Sequence, residues 1–168
     1  MTEVQLTIRQ AGIEDINEIG FLANDIWPKV YDYMISQAQI QYMLNLFYTP
    51  EALYRQMVDQ HHIFFLAELD ETPVGFASVS KVSDGVFKLQ KLYVQPELHS
   101  KGVGTALLES VLDEAFEGGG RKIQLTVNKN NKSLAFYQKS GFTISDQQKL
   151  DIGGGYFMDD YIMEREIS

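Results

Sequence analysis

The spacing of apolar residues predicts helices in the first third of the chain. Residues 4–9 alternate apolar and polar side chains, which is typical of a half-buried strand. From Ile13 the apolar residues recur roughly every 3.6 residues, which predicts a helix that ends at Pro28. Two more helices are predicted at residues 36–47 and, opened by a proline in the first turn, at residues 51–60.

Beyond His62 the pattern is dominated by strands. Short apolar or alternating runs separated by turn residues predict an antiparallel meander at residues 63–67, 74–82 and 86–94. The remaining predicted elements are a helix at 102–116, a strand at 123–127, a helix at 133–139, and strands at 142–150 and 156–167. This order predicts one α/β (α+β) domain over residues 1–168, with a mixed sheet of about seven strands flanked by helices.

The strand at residues 86–94 has an irregular pattern. Its apolar residues change phase by one position at Gln90-Lys91. A β-bulge, in which one extra residue bends the strand, explains the slip. A strand end that is buried on both faces explains it equally well, so the pattern alone leaves both interpretations open.

The turn that precedes the helix at 102–116 is the main candidate for chemistry. It reads His99-Ser100-Lys101-Gly102-Val103-Gly104. The N-terminus of a helix has free N–H groups and a partial positive charge, so it binds phosphate oxygens, and glycine lets the backbone approach them closely. The Gly-x-Gly pattern is weak by itself, because it matches neither the dinucleotide fingerprint nor the P-loop and also suits an ordinary helix start.

The charge distribution agrees with an anion site in this part of the chain. The protein has 168 residues and a formal net charge of −9. Residues 86–142 carry eight basic and five acidic side chains, whereas the rest carries six basic and eighteen acidic ones. Chance and an anion site both explain the local excess. The wide acidic surface elsewhere disfavours nucleic acids and anionic membranes as partners.

Composition excludes several other classes of function. The chain has no cysteine, so it has no disulfides, thiolate nucleophiles or cysteine metal sites. Its three histidines do not follow a metal-ligand pattern, so we expect no metal. No apolar stretch approaches the roughly 20 residues that cross a bilayer. The first five residues do not resemble a signal peptide, so we expect a cytoplasmic protein.

Two segments resemble a known family. Residues 91–108 resemble motif A of the GNAT (GCN5-related N-acetyltransferase) family, a Leu-Tyr-Val-x-Pro strand end followed by the glycine turn. Residues 128–142 resemble its motif B, Asn-x-x-Ala-x-x-Phe-Tyr-x-Lys-x-Gly-Phe. Both motifs stand in the family's order, and the chain is identified as a member of its bacterial small-molecule or polyamine-type branch. His99 replaces the usual Gln or Arg, and Ser133 replaces a small Ala.

The resemblance implies acetyl-CoA as cosubstrate. In the GNAT fold the fourth and fifth strands splay apart, and the pantetheine arm fills the gap. The ring of His99 would donate one hydrogen bond to a phosphate, or bring positive charge if it is protonated. The residues implied to bind the cosubstrate are Leu92, Tyr93, Val94, His99, Ser100, Lys101, Gly102, Val103, Gly104, Thr105, Asn130 and Tyr137.

The resemblance also implies direct attack of a neutral amine on the thioester. Tyr137 aligns with the tyrosine that protonates the departing thiolate, although packing beside Phe136 is the alternative role. A backbone N–H near Val94 would stabilise the oxyanion. Many relatives carry a glutamate base in the fourth strand, but this strand offers only Lys88, Gln90 and Lys91. Other carboxylates, none of them assigned as the base, are Glu68, Asp32 and Asp160.

The acceptor site of such a fold lies between the N-terminal helices and the last two strands. Both parts are acidic and aromatic here, which favours a small cationic amine or a polyamine. The candidate acceptor-binding residues are Trp27, Tyr31 and Tyr156. The alternatives are a protein or peptide N-acetyltransferase and a CoA-binding sensor without turnover. A homodimer that pairs through edge strands is also compatible with the sequence.

Overall fold

The computed structural model describes residues 4–168, which form a central sheet with helices on both faces. The strands are β1 (Leu6–Ala11), β2 (Ile63–Leu69), β3 (Thr72–Ser83), β4 (Val86–Val94), β5 (Lys122–Asn128), β6 (Thr143–Gly153) and β7 (Tyr156–Glu166). The α-helices are α1 (Ile16–Tyr31), α2 (Gln37–Phe47), α3 (Pro50–Val58), α4 (Val103–Glu117) and α5 (Leu134–Lys139). Short 3-10 turns precede α1 and α4, at Ile13–Asp15 and Pro96–Leu98.

The seven strands form one mixed sheet in the order β1-β2-β3-β4-β5-β7-β6. Neighbouring strands are antiparallel except β4 and β5, which α4 connects as a parallel crossover. The predicted mixed sheet with a parallel pair is therefore confirmed. Pairing between β4 and β5 covers only Val86–Lys88 against Lys122–Gln124, and beyond it the two strands separate. This separation positions the candidate site.

Two hydrophobic cores lie on opposite faces of the sheet. On one face α4 buries Leu107 and Val111 against β3 and β4. On the other face α1 buries Ile19 and Ile26 against β2 and β3. Each such side chain contributes about 1.5–3 kcal/mol relative to remaining exposed. Among the described residues, no helix is long and apolar enough to cross a membrane.

The predicted end of α1 at Pro28 is wrong, because the helix continues to Tyr31. A proline inside a helix removes one backbone hydrogen bond and crowds the preceding turn. The aromatic contacts of the last turn offset that loss. Trp27 and Tyr31 pack with ring centroids 4.6 Å apart, and the Tyr31 hydroxyl lies 2.8 Å from the Tyr93 hydroxyl on β4.

The phase slip in β4 marks a β-bulge. Ser78 of β3 pairs with Lys91 and Val79 pairs with Leu89, so Gln90 is the extra residue. The Gln90 side chain donates a hydrogen bond to the Ser80 hydroxyl at 3.0 Å. The prediction of a bulge is confirmed, and the interpretation that the strand end is simply buried on both faces is not needed.

Candidate active site

A cleft of about 870 Å³ opens where β4 and β5 separate. Residues 89–94 of β4 form one wall, and residues 125–128 of β5 form the other. The end of α1, the glycine turn, α5 and the start of β7 complete the lining. The cleft therefore joins the turn of motif A to the acidic and aromatic segments at both ends of the chain.

The glycine turn has free backbone donors at one end of the cleft. Gly102 is the N-cap of α4 with φ +87° and makes no side-chain cap hydrogen bond. The first helical bond runs from Ala106 N–H to the Gly102 carbonyl at 3.0 Å. Within the described chain, the N–H groups of Val103, Gly104 and Thr105 therefore have no backbone acceptor. Three converging donors at a helix N-terminus fit a phosphate group.

Most of the predicted cosubstrate residues line this cleft. They are Leu92, Tyr93, Val94, His99, Ser100, Gly102, Gly104, Thr105 and Tyr137. Lys101 is exposed at the outer side of the turn, and Val103 is buried in the core, so only its backbone is available. Ser100 adopts φ 68°, which is rare for a residue other than glycine and places strain at the turn.

Asn130 does not lie in the cleft. The side chain of Asn128 accepts a hydrogen bond from the Asn130 N–H at 2.9 Å, and this local turn leaves Asn130 exposed. Asn128 and Asn131 face the cleft instead. The motif alignment selects the correct loop, but it does not identify the amides that face the cleft.

His99 makes a contact that the sequence does not predict. Its Nε2 lies 3.1 Å from the Val94 carbonyl oxygen, which can only accept a hydrogen bond, so Nε2 carries the proton. In the neutral ring Nδ1 is then an acceptor and cannot donate to a phosphate. Only a protonated ring would have a second N–H to offer a phosphate, so the contact between His99 and a phosphate stays a prediction. His99 ties the turn to the end of β4.

An aromatic cluster lines the cleft where α1 meets β4. Trp27 packs against Tyr31 and Tyr93 with ring centroids 4.6 and 5.4 Å apart. Burial raises the pKa of Tyr31 to about 12 and the pKa of Tyr93 well above its usual value, so both hydroxyls are neutral. Trp27 and Tyr31 line the cleft as predicted.

Tyr156 does not reach the cleft, in contrast to the prediction. It lies at the first position of β7 and packs on Tyr42 of α2 with centroids 5.1 Å apart. Met158 and Asp160 stand on the same face further along the strand and line the cleft. Strand alternation places these three residues on one face, but only the contact with Tyr42 of α2 shows that Tyr156 lies outside the cleft.

Tyr137 is buried in the cleft wall on α5. Its ring packs edge-on against Phe136 and Phe142, with centroids 5.3 and 5.8 Å apart. Burial raises the pKa of Tyr137. A neutral phenol in a desolvated wall is suited to donate a hydrogen bond to developing negative charge.

The three carboxylates considered as bases lie in different environments. Glu68 lies on β2, where Arg9 donates a hydrogen bond to it at 2.9 Å, outside the cleft. Asp32 lines the cleft but is exposed at the end of α1. Asp160 lines the cleft from β7 and is only 3% exposed. Burial, reinforced by the charge of Asp159, raises the pKa of Asp160 to about 6.

One half-buried lysine also lines the cleft. The Nζ of Lys91 lies 5.3 Å from the ring centre of Tyr48 and 5.8 Å from that of Phe64. Burial, and then the charge of Lys88, lowers the pKa of Lys91 to about 8. The bulge at Gln90 turns the Lys91 side chain toward the cleft, which the phase slip alone does not show.

Comparison with known proteins identifies the family. Residues 27–142 match the profile of the acetyltransferase (GNAT) family. The chain belongs to the GNAT family. The predicted family and fold are thereby confirmed, and so is the assignment as an acetyl-CoA-dependent acyltransferase.

Two curated relatives and one solved structure resemble this GNAT protein over most of its length. An uncharacterised N-acetyltransferase of Mycobacterium tuberculosis is 27% identical over 91% of this chain and 98% of its own. A spermidine N(1)-acetyltransferase of Thermoplasma acidophilum is 26% identical over 88% of this chain and 94% of its own. The crystal structure of the PaiA N-acetyltransferase of Thermoplasma acidophilum with coenzyme A has a TM-score of 0.82 and 26% identity, and covers 96% of this chain and 99% of that one.

Proposed function

We propose that this GNAT protein transfers the acetyl group of acetyl-CoA to a primary amine of a small cationic acceptor, such as a polyamine. Both substrates would occupy the cleft together, and the amine would attack the thioester directly. We also propose that the whole chain, residues 1–168, acts as a single domain. The first and last strands belong to the same sheet, which supports this assignment.

The separation of β4 and β5 supports the position of the cosubstrate. Residues 92–94 border the slot with backbone groups that β5 does not pair. The free N–H groups at the start of α4 suit the pyrophosphate at its end. Lys101 adds positive charge on the outer side of that turn. Acetyl-CoA would supply the activated acetyl group in this slot.

The composition of the acceptor end is the observation that carries the choice of a cationic amine. Trp27, Tyr31 and Tyr93 present aromatic surface, and Asp32 and Asp160 supply negative charge. Both features attract ammonium groups, by cation–π contact and by charge. The spermidine acetyltransferase among the relatives supports the same class of acceptor.

Tyr137 is proposed as the general acid. Its buried phenol lines the cleft between the aromatic cluster and the glycine turn. The phenol would donate its proton to the sulfur as the carbon–sulfur bond breaks.

An acetylation screen across an amine panel tests the proposed function. Thiol release from acetyl-CoA is measured with spermidine, short diamines, amino acids and peptide N-termini, and without any amine. We expect release that depends on the amine and is fastest with di- or polyamines. A preference for peptides would instead indicate that the acceptor is a peptide or protein N-terminus and not a small cationic amine. Tight CoA binding without amine-dependent release would instead indicate a sensor without turnover.

A further inference from the structure

Among the described residues, the carboxylate of Asp160 has no partner that explains its burial. The residue is 3% exposed, and among residues 4–168 neither a hydrogen bond nor an ion pair reaches its side chain. Asp15, the other buried aspartate, is bound by Arg9 at 2.8 Å and by the Gly12 N–H at 2.9 Å. Burial of a carboxylate without such partners is costly, which points to a functional reason for Asp160.

The position of Asp160 gives its carboxylate access to the cleft. It lies on β7 opposite Asn128 of β5, at the point where β5 has already separated from β4. Its charge helps to raise the pKa of Tyr31, so it lies close to the aromatic cluster. Of the carboxylates considered above, Asp160 alone is both buried and in the cleft, because Asp32 is exposed and Glu68 pairs with Arg9.

Several charged and titratable groups surround Asp160. Lys88 faces it from β4, Lys129 from the end of β5, Tyr31 from α1 and Asp159 from its own strand. Lys129 lies 3.1 Å from Asp159 and therefore does not neutralise Asp160 directly. Burial and Asp159 outweigh the two lysines, so the pKa of Asp160 is raised to about 6. The carboxylate is ionised at neutral pH and accepts a proton more readily than an ordinary aspartate.

We propose that Asp160 is the general base that removes a proton from the acceptor ammonium, a role that rests on the proposed amine acetylation. One N–H bond breaks and its proton passes to the Asp160 carboxylate. The freed lone pair forms the carbon–nitrogen bond, the carbon–sulfur bond breaks, and Tyr137 gives its proton to the sulfur. As the intermediate collapses, the attacking nitrogen loses its second proton to the Tyr137 phenolate, which restores the phenol, and the Asp160 proton leaves to solvent through the open cleft.

The test compares Asp160→Asn and Asp160→Glu with Asp159→Asn and the wild type. Asp159 provides a matched control, because it is the next residue along β7 and is exposed on the other face. Steady-state rates are measured from pH 5 to 9 with the best amine of the panel, and CoA affinity is measured by calorimetry.

We expect Asp160→Asn to lower kcat on the order of 100-fold or more, the usual contribution of a general base, while CoA affinity changes less than twofold. Asp160→Glu should recover part of the rate. Asp159→Asn should retain kcat at pH 8, where Asp160 is ionised in both proteins, although loss of the Asp159 charge lowers the pKa of Asp160. In the wild type kcat/KM should fall about tenfold per pH unit below pH 6, and in Asp160→Asn that limb should disappear.

Two results would overturn the inference while leaving the proposed function intact. One is an active wild type whose Asp160→Asn variant keeps its kcat. The other is a raised acceptor KM with an unchanged kcat, which would make Asp160 a binding group for the cation only. A wild type that releases no thiol with any amine would refute the proposed function, and the base with it.

Discussion

Replacement of Asp160 by asparagine should stabilise the folded protein at neutral pH. Asparagine has nearly the same shape but no charge, so it removes the cost of burying an ionised carboxylate. The pKa of Asp160 rises from 3.8 to about 6 on folding, so folding favours its protonated form. Below pH 3.8 the wild type keeps the full stability of a neutral side chain. That stability is lost as the pH rises through 6.

The size of the effect follows from linkage between protonation and folding. A shift from 3.8 to about 6 corresponds to about 3 kcal/mol above pH 6, at 1.36 kcal/mol per pH unit. At pH 4.5 the same relation gives about 1 kcal/mol. In a chain of this length the larger value raises Tm by roughly 6–12 °C.

Urea denaturation of the wild type and Asp160→Asn measures the difference in the free energy of unfolding at pH 4.5 and at pH 8. The stability advantage of the variant should be larger at pH 8 by about 2 kcal/mol. Asp159→Asn, which changes an exposed carboxylate on the same strand, should show no comparable gain. An Asp160→Asn protein that is no more stable than the wild type at pH 8 would refute the assignment of Asp160 as a costly, unpaired charge.

Three further substitutions test other parts of the site. Tyr137→Phe should lower kcat roughly 100-fold or more while CoA affinity stays within twofold, and stopped-flow or steady-state rates that are unchanged would remove Tyr137 from the mechanism. His99→Ala removes the hydrogen bond to the Val94 carbonyl, which is worth about 1 kcal/mol, and should raise the KM for acetyl-CoA about fivefold. An unchanged KM would mean that the hydrogen bond between His99 and Val94 does not position the glycine turn. In Gly102→Ala the alanine must adopt φ +87°, so urea denaturation should show a loss of about 1–2 kcal/mol in the free energy of unfolding. Gly104→Ala should be tolerated by the fold, because its new methyl group meets Phe136 at an ordinary contact distance of 3.5 Å. Equal losses in the two variants would contradict the left-handed N-cap at Gly102.

Local patterns predicted the elements that form the cosubstrate slot. The bulge at Gln90 was visible because a one-residue insertion reverses the alternation of buried residues along β4. The start of α4 was visible because the turn before it contains Gly102, which can adopt a left-handed N-cap. Both features depend on residues close together in sequence, so the sequence predicts the start of α4 and offers the bulge as one of two explanations of the phase slip.

Tertiary packing decided the features that the sequence did not predict correctly. α1 continues through Pro28 because Trp27 and Tyr31 pack against β4, which lies far away in the chain. Tyr156 is held by Tyr42 of α2, another contact between distant segments. No local pattern contains these contacts.

Asp160 illustrates the same limit at the level of chemistry. The sequence shows an aspartate in an acidic strand beside Asp159, and strand alternation only assigns the two residues to opposite faces. The structure shows which face borders the cleft and that no partner among the described residues neutralises Asp160. Burial and missing partners are properties of the folded chain, so the choice among Glu68, Asp32 and Asp160 required the structure.

The stoichiometry of acetyl transfer tests the central claim most directly. The purified protein is mixed with acetyl-CoA and spermidine, and free thiol and acetylated amine are quantified together by thiol titration and mass spectrometry. Our account predicts one acetylated amine for each thiol released, and no release above background when the amine is omitted. Thiol release that is independent of the amine, or an absence of acetylated product with every amine tested, would contradict it.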